Sequence, residues 1–117
     1  MKPKLAEGLF VPAALVVLVD ILFTLIGQSP EYWSNFSLAN EANPIGHWAL
    51  TTHPLLFLIL AAPYLLLIYL LVKRLSALAG LTFILSIIIW HTVGGSSWVI
   101  RLYYLGLSKI CSPIFSS

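Results

Sequence analysis

The sequence predicts an all-α integral membrane protein with three transmembrane helices, an interfacial outer loop and a C-terminal interfacial helix. Three observations carry this expectation. First, the 117 residues are 60% hydrophobic and only 9% charged, with a mean hydropathy of +0.98. Soluble domains carry ~25% charged residues. Second, residues 9–27, 54–72 and 75–93 form apolar runs long enough to cross a ~30 Å hydrocarbon core at ~1.5 Å per residue. Third, Lys2, Lys4, Lys73 and Arg74 flank these runs, where topology signals are expected. The whole chain, 1–117, therefore reads as a single transmembrane domain. A net charge of +2 is too small to suggest nucleic acid, and the one cysteine, Cys111, excludes an internal disulfide or a cysteine-rich metal site.

The N-terminal segment places Lys2 and Lys4 before the first apolar run, as a signal peptide does. The run is too long for such a peptide, contains Asp20 and lacks a small-x-small cleavage site, so a retained helix is expected. The second and third runs are joined by Lys73-Arg74-Leu75-Ser76, a tight turn that makes them an antiparallel hairpin. Gly94-Gly95-Ser96-Ser97 then reads as a break in the third helix. Beyond it, residues 98–110 carry aromatics and a Ser97/Arg101/Ser108/Lys109 polar stripe, as in a helix lying in the interface. A fourth span is the alternative.

Orientation follows from charge. Lys2, Lys4, Lys73 and Arg74 share one side, against Arg101 and Lys109 on the other, which puts the N-terminus in the cytoplasm. The Gln28–Trp48 loop is then outside. It has no lysine or arginine, and its Tyr32, Trp33, Phe36 and Trp48 suit the headgroup layer. Asn43-Pro44 is a helix start, and Thr51-Thr52 before Pro54 is a second one. A short interfacial helix from about Pro44, bending near Pro54, satisfies both. Asn35-Phe36-Ser37 matches a glycosylation acceptor, a short pattern that chance often produces.

Asp20 is the residue that points to a site. A carboxylate in the middle of a transmembrane helix costs ~2.5–3.5 kcal/mol, so such a residue faces the protein interior and takes a partner. A structural hydrogen bond to a neighbouring helix is the plain alternative. Asp20, Thr24, Gly27 and Gln28 form one polar stripe on the first helix. Gly80, Ile84, Ile87, His91, Gly94 and Trp98 share a stripe on the third, and His53, Phe57, Ala61, Tyr64 and Ile68 share one on the second. Packing along these stripes would bring Asp20, His53 and His91 together under a lid carrying Glu41. His47 belongs to the same outer loop.

Two carboxylates and two imidazoles suit a divalent metal by ligand type. Asp20, Glu41, His53 and His91 are the candidate metal ligands and zinc is the favoured ion. Asp20 and Glu41 are the candidate catalytic groups, since a carboxylate beside a metal-bound water can move its protons. Each residue has a structural reading too: His91 could cap a carbonyl near the glycine pair, His53 could be an interfacial residue, and Glu41 could favour a helix N-terminus. Arg101 reads as a lipid-phosphate anchor or, if the tail folds back, as a counter-charge to Asp20 or Glu41. Tyr64 and Tyr69 read as packing residues.

The order D-x3-T (Asp20, Thr24), an aromatic-rich loop and E-x-N-P (Glu41, Asn43, Pro44) resembles a group of uncharacterised small prokaryotic multi-pass membrane proteins. The likeness covers about the first half of the chain. It implies a location in the prokaryotic inner (cytoplasmic) membrane and places Asp20 and Glu41-Ala42-Asn43-Pro44 in one functional unit. It implies no reaction.

Three classes of function are open on the sequence. One is a membrane-embedded metal-dependent hydrolase acting on a lipid-like substrate at an outer-leaflet acid/histidine site. The same site could bind a polar ligand without catalysis. Another is an accessory subunit whose stripes bond to other membrane subunits or to a second copy. The third is a b-type haem protein with His53 and His91 as axial ligands, which leaves Asp20 and Glu41 unexplained. Besides the lipid bilayer, these are the expected partners.

Overall fold

A computed structural model describes the backbone of residues 4–115 and the side chains of residues 4–101 and Tyr103. Its elements are α1 (Leu5–Gly8), α2 (Phe10–Ile26), two 3-10 turns (Pro30–Trp33 and Phe36–Leu38), α3 (Pro44–Thr52), α4 (Pro54–Ile59), α5 (Ala61–Arg74) and α6 (Ala77–Phe115). No strand occurs among the described residues. The molecule is a thin rod, 68 × 29 × 17 Å.

Prolines set the helix boundaries. Pro12 and Pro63 have no N–H to offer the carbonyls of Gly8 and Ile59, the residues at which α1 and α4 end. Pro54 pushes His53 out of the helical region, to φ −172° and ψ 138°, and so separates α3 from α4. At the start of α3 the Asn43 carboxamide accepts from Ile45 N (2.9 Å) and Gly46 N (3.2 Å), with Pro44 in the first turn, as the sequence predicts.

The expected break at Gly94–Ser97 does not occur. The third run and the tail form one helix, α6, of 39 residues. A glycine inside a helix weakens it by ~1 kcal/mol without ending it, and Ser97 turns its hydroxyl back onto the Gly94 carbonyl at 2.6 Å. The interfacial tail is thus a continuation of α6. Of its polar stripe, Ser108 and Lys109 lie outside the residues whose side chains are described, as does Cys111.

Helices α2 and α6 run parallel, with α5 antiparallel to both. Ala6 meets Gly80 and Asp20 meets Gly94, both at close range. One buried cluster, Ala6, Ala13, Ile68, Val72 and Ile84, fills the end near the α5–α6 turn. A second, including Val17, Ile21, Leu25, Tyr32 and Leu50, fills the other half beneath the loop. Lys4 ties the first end together by donating to the carbonyls of Lys73 (3.0 Å) and Leu75, where a cation suits a helix C-terminus.

Two helical stretches, Pro54–Arg74 and Ala77–Arg101, are long and apolar enough to cross a membrane, and Phe10–Ile26 is a shorter apolar helix. Large apolar side chains stand exposed along all three, among them Leu15, Leu22, Leu66, Leu70, Leu85 and Ile89.

Candidate functional site

Asp20 does face the interior and does have a partner. Its Oδ2 lies 2.7 Å from His91 Nδ1, and His91 Nε2 lies 2.8 Å from the Tyr64 hydroxyl. With Asp20 ionised the carboxylate accepts, so Nδ1 donates and the neutral ring accepts from Tyr64 at Nε2. One carboxylate–imidazole–phenol chain therefore links α2, α6 and α5. Gly94 makes it possible: a Cβ there would sit 3.2 Å from both carboxylate oxygens.

The polar stripe on α2 builds outward from this point. Thr24 Oγ1 donates to the Asp20 carbonyl (2.8 Å), and Gln28 Nε2 donates to the Thr24 carbonyl (3.0 Å). The buried Gln28 carboxamide also pairs both ways with the backbone of Asn40, donating to its carbonyl (2.9 Å) and accepting from its N–H (2.8 Å). That clasp fixes the loop just before Glu41. One Glu41 oxygen then accepts from Asn43 N at 3.1 Å. Deeper in the loop, Tyr32 donates to the Leu50 carbonyl at 2.7 Å. Pro54, four residues on, has no N–H for that carbonyl, so the phenol takes its place. Burial pushes the Tyr32 phenol above its ordinary value.

Between the loop and α6 lies a chamber of about 430 Å³. Asp20 forms part of its wall, Glu41 and Asn43 come from the loop, and Trp90, Trp98 and Arg101 come from α6. The Arg101 guanidinium lies over the Trp98 ring, 5.3 Å from its centre, and reaches the Asn40 side-chain amide, whose oxygen accepts at 2.9 Å when the amide is assigned in the orientation that satisfies its oxygen and nitrogen. Among the described side chains, the only carboxylate within 4 Å of a basic group is Asp20, at His91. Arg101 thus shares a chamber with two carboxylates and is bridged to neither.

The sequence-predicted residues divide accordingly. Asp20 and His91 come together, and Glu41 faces the same chamber as Asp20. The expected convergence of His53 with them is corrected: its Nδ1 accepts from Leu55 N at 3.0 Å, capping α4, and its ring stands edge-on to Phe36. The physical reason is Pro54, which leaves His53 extended and at the right place for an N-cap. Among the described residues no three His, Cys, Asp or Glu side chains gather to hold a metal ion. Both nitrogens of His91 have hydrogen-bond partners, Asp20 at Nδ1 and Tyr64 at Nε2. His47 lies exposed on α3, and Asn35 spends its side chain on Ser37 N (3.2 Å) and Oγ (2.6 Å).

Sequence reasoning read Tyr64 as packing, and read Arg101 as a lipid-phosphate anchor or, with the tail folded back, a counter-charge to Asp20 or Glu41. The signals were present. Tyr64 shares the inward stripe of Ala61 and Ile68, and Arg101 continues the spacing of Gly94 and Trp98 once the helix is unbroken. Comparison of the chain with protein-family models, with curated proteins and with solved structures finds no match.

Proposed function

We propose that this chain is a small polytopic membrane protein holding a polar ligand at its outer end, in the chamber shared by Asp20, Glu41 and Arg101. The observation that carries this reading is the Asp20–His91–Tyr64 chain. It holds a carboxylate in a fixed pose within an apolar helix, at the wall of a chamber large enough for a small ligand. Among the described residues, only one of that carboxylate's oxygens has a hydrogen-bond partner. A polar ligand suits this arrangement, because the Nε2 lone pair of His91 is engaged by the Tyr64 hydroxyl while one Asp20 oxygen faces the chamber without a partner among the described residues. The hydrogen-bonded chain can carry a proton, so acid–base chemistry on a bound ligand is within its means.

Three spans, with the N-terminus and the α5–α6 turn in the cytoplasm, are part of the same reading. The exposed apolar sides of α2, α5 and α6 support it, as does Lys4 meeting the turn at Lys73 and Leu75. Labelling from outside on a Cys111→Ser background should modify a cysteine placed at Ser34 and spare one placed at Ser76. The reverse pattern would overturn this topology. The D-x3-T … E-x-N-P resemblance suggests a prokaryotic cytoplasmic membrane, and the 17 Å thinness of the rod suits lateral association with itself or other subunits.

The site is tested with Asp20→Asn, which keeps shape and hydrogen bonding but removes the charge. Small molecules retained on purification, measured by mass spectrometry, are expected to fall at least tenfold relative to the parent. Melting temperature should hold or rise, since a half-buried charge has gone. Unchanged content would reduce Asp20 to a helix tie and leave the accessory-subunit reading in its place.

A further inference from the structure

We infer that the ligand is a zwitterion: an ammonium joined, a few atoms away, to a phosphate or a carboxylate. This rests on the chamber being a ligand site and names what it takes. Asp20 and Glu41 offer negative charge at the chamber wall, and Arg101 offers a guanidinium whose partners among the described residues are a neutral amide and an indole. A simple cation would be repelled by Arg101, and a simple anion by two carboxylates. Mixed charge in one small volume selects a ligand of matching mixed charge, partly by repelling the others.

The poles are ordered along α6. Asp20 packs on Gly94, about two turns, or ~10 Å, before Arg101. The Arg101 side chain folds back over Trp98, which shortens the separation by roughly one turn, to ~5 Å. That span suits the two ends of a compact zwitterion. Its ammonium would lie innermost, against Asp20 and Glu41 with an indole face nearby, and its anion nearer the mouth, in the guanidinium fork. A phospholipid of the outer leaflet offers the opposite order, with its phosphate deeper than its ammonium. The geometry therefore favours a free solute entering from the outer side over a lipid headgroup.

The test uses the full-length protein in nanodiscs of phosphatidylglycerol, which carries no ammonium. Phosphoethanolamine, β-alanine, ethanolamine and inorganic phosphate are titrated separately, followed by calorimetry and tryptophan fluorescence. At least one of the two zwitterions should bind tenfold or more tighter than both ethanolamine and phosphate. Arg101→Gln, a change at an exposed position, should lower that affinity to ethanolamine's with the melting temperature unchanged. Ethanolamine binding as tightly as both zwitterions, or no binding by any of the four, overturns the inference. Neither outcome touches the site itself, which stands or falls on the content retained by Asp20→Asn. Repeating the titration in phosphatidylethanolamine discs identifies the source. A tenfold loss of apparent affinity marks the lipid headgroup as the competing occupant, and an unchanged affinity marks a free solute.

Discussion

Replacing His91 by alanine is expected to destabilise the fold by about 3 kcal/mol and to abolish ligand retention. The Asp20 carboxylate is left without its donor, and stranding a buried polar group costs ~1–3 kcal/mol, more when it is charged. The upper figure applies here, since the His91 and Asp20 side chains keep only 13% and 17% of their surface exposed. Tyr64 loses its acceptor in the same step. Denaturant titration in micelles measures the loss. The informative comparison is the double variant Asp20→Asn/His91→Ala, in which no charge is stranded. It should recover about half of the lost stability without recovering ligand. Equal destabilisation of the single and double variants would mean that Asp20 and His91 are not energetically coupled.

The second large effect is expected from Gly94→Leu. The first carbon of any side chain at this position lies 3.2 Å from both Asp20 oxygens and 3.4 Å from Asp20 Cγ. The remaining leucine carbons must press on the Asp20 carboxylate or fill the chamber that Gly94 lines. Overpacking of this kind costs ~1–3 kcal/mol, and displacing the carboxylate would disturb its 2.7 Å contact with His91. Ligand retention should therefore be lost together with stability. Gly8→Ala is the matched control, because nothing lies within 4 Å of its added carbon. It should be neutral or raise stability by up to ~1 kcal/mol through helix propensity. If both substitutions behave alike, α2 and α6 do not depend on that close approach.

Much of this was legible in the sequence, and the exceptions have physical causes. Asp20 announced itself because a carboxylate in an apolar run needs a partner. Its stripe through Thr24 and Gln28 followed from the 3.6-residue period, and the α3 start followed from Asn43-Pro44. His53 misled because periodicity treats a helix as continuous, whereas Pro54 and Pro63 cut that run and turned the histidine into a cap. Arg101 misled for the opposite reason. Two glycines and two serines read as a break, yet they stay helical and carry the arginine up to the chamber. Tyr64 was hidden by its surroundings, since a phenol among leucines looks like packing until its hydroxyl is seen to meet His91.

The site is also assembled from opposite ends of the chain: Asp20 and His91 are 71 residues apart in sequence. Translation proceeds at ~5–20 residues per second, so a chain inserted as it is made holds Asp20 for roughly 4–14 s before its partner exists. On the proposed three-span reading, a helix with a lone acid at its centre would enter the membrane through that interval at a cost of ~2.5–3.5 kcal/mol. The apolar residues around Asp20 would have to outweigh that cost unaided. Extra polarity in the first helix would then be a burden on biogenesis before it is one on the finished fold.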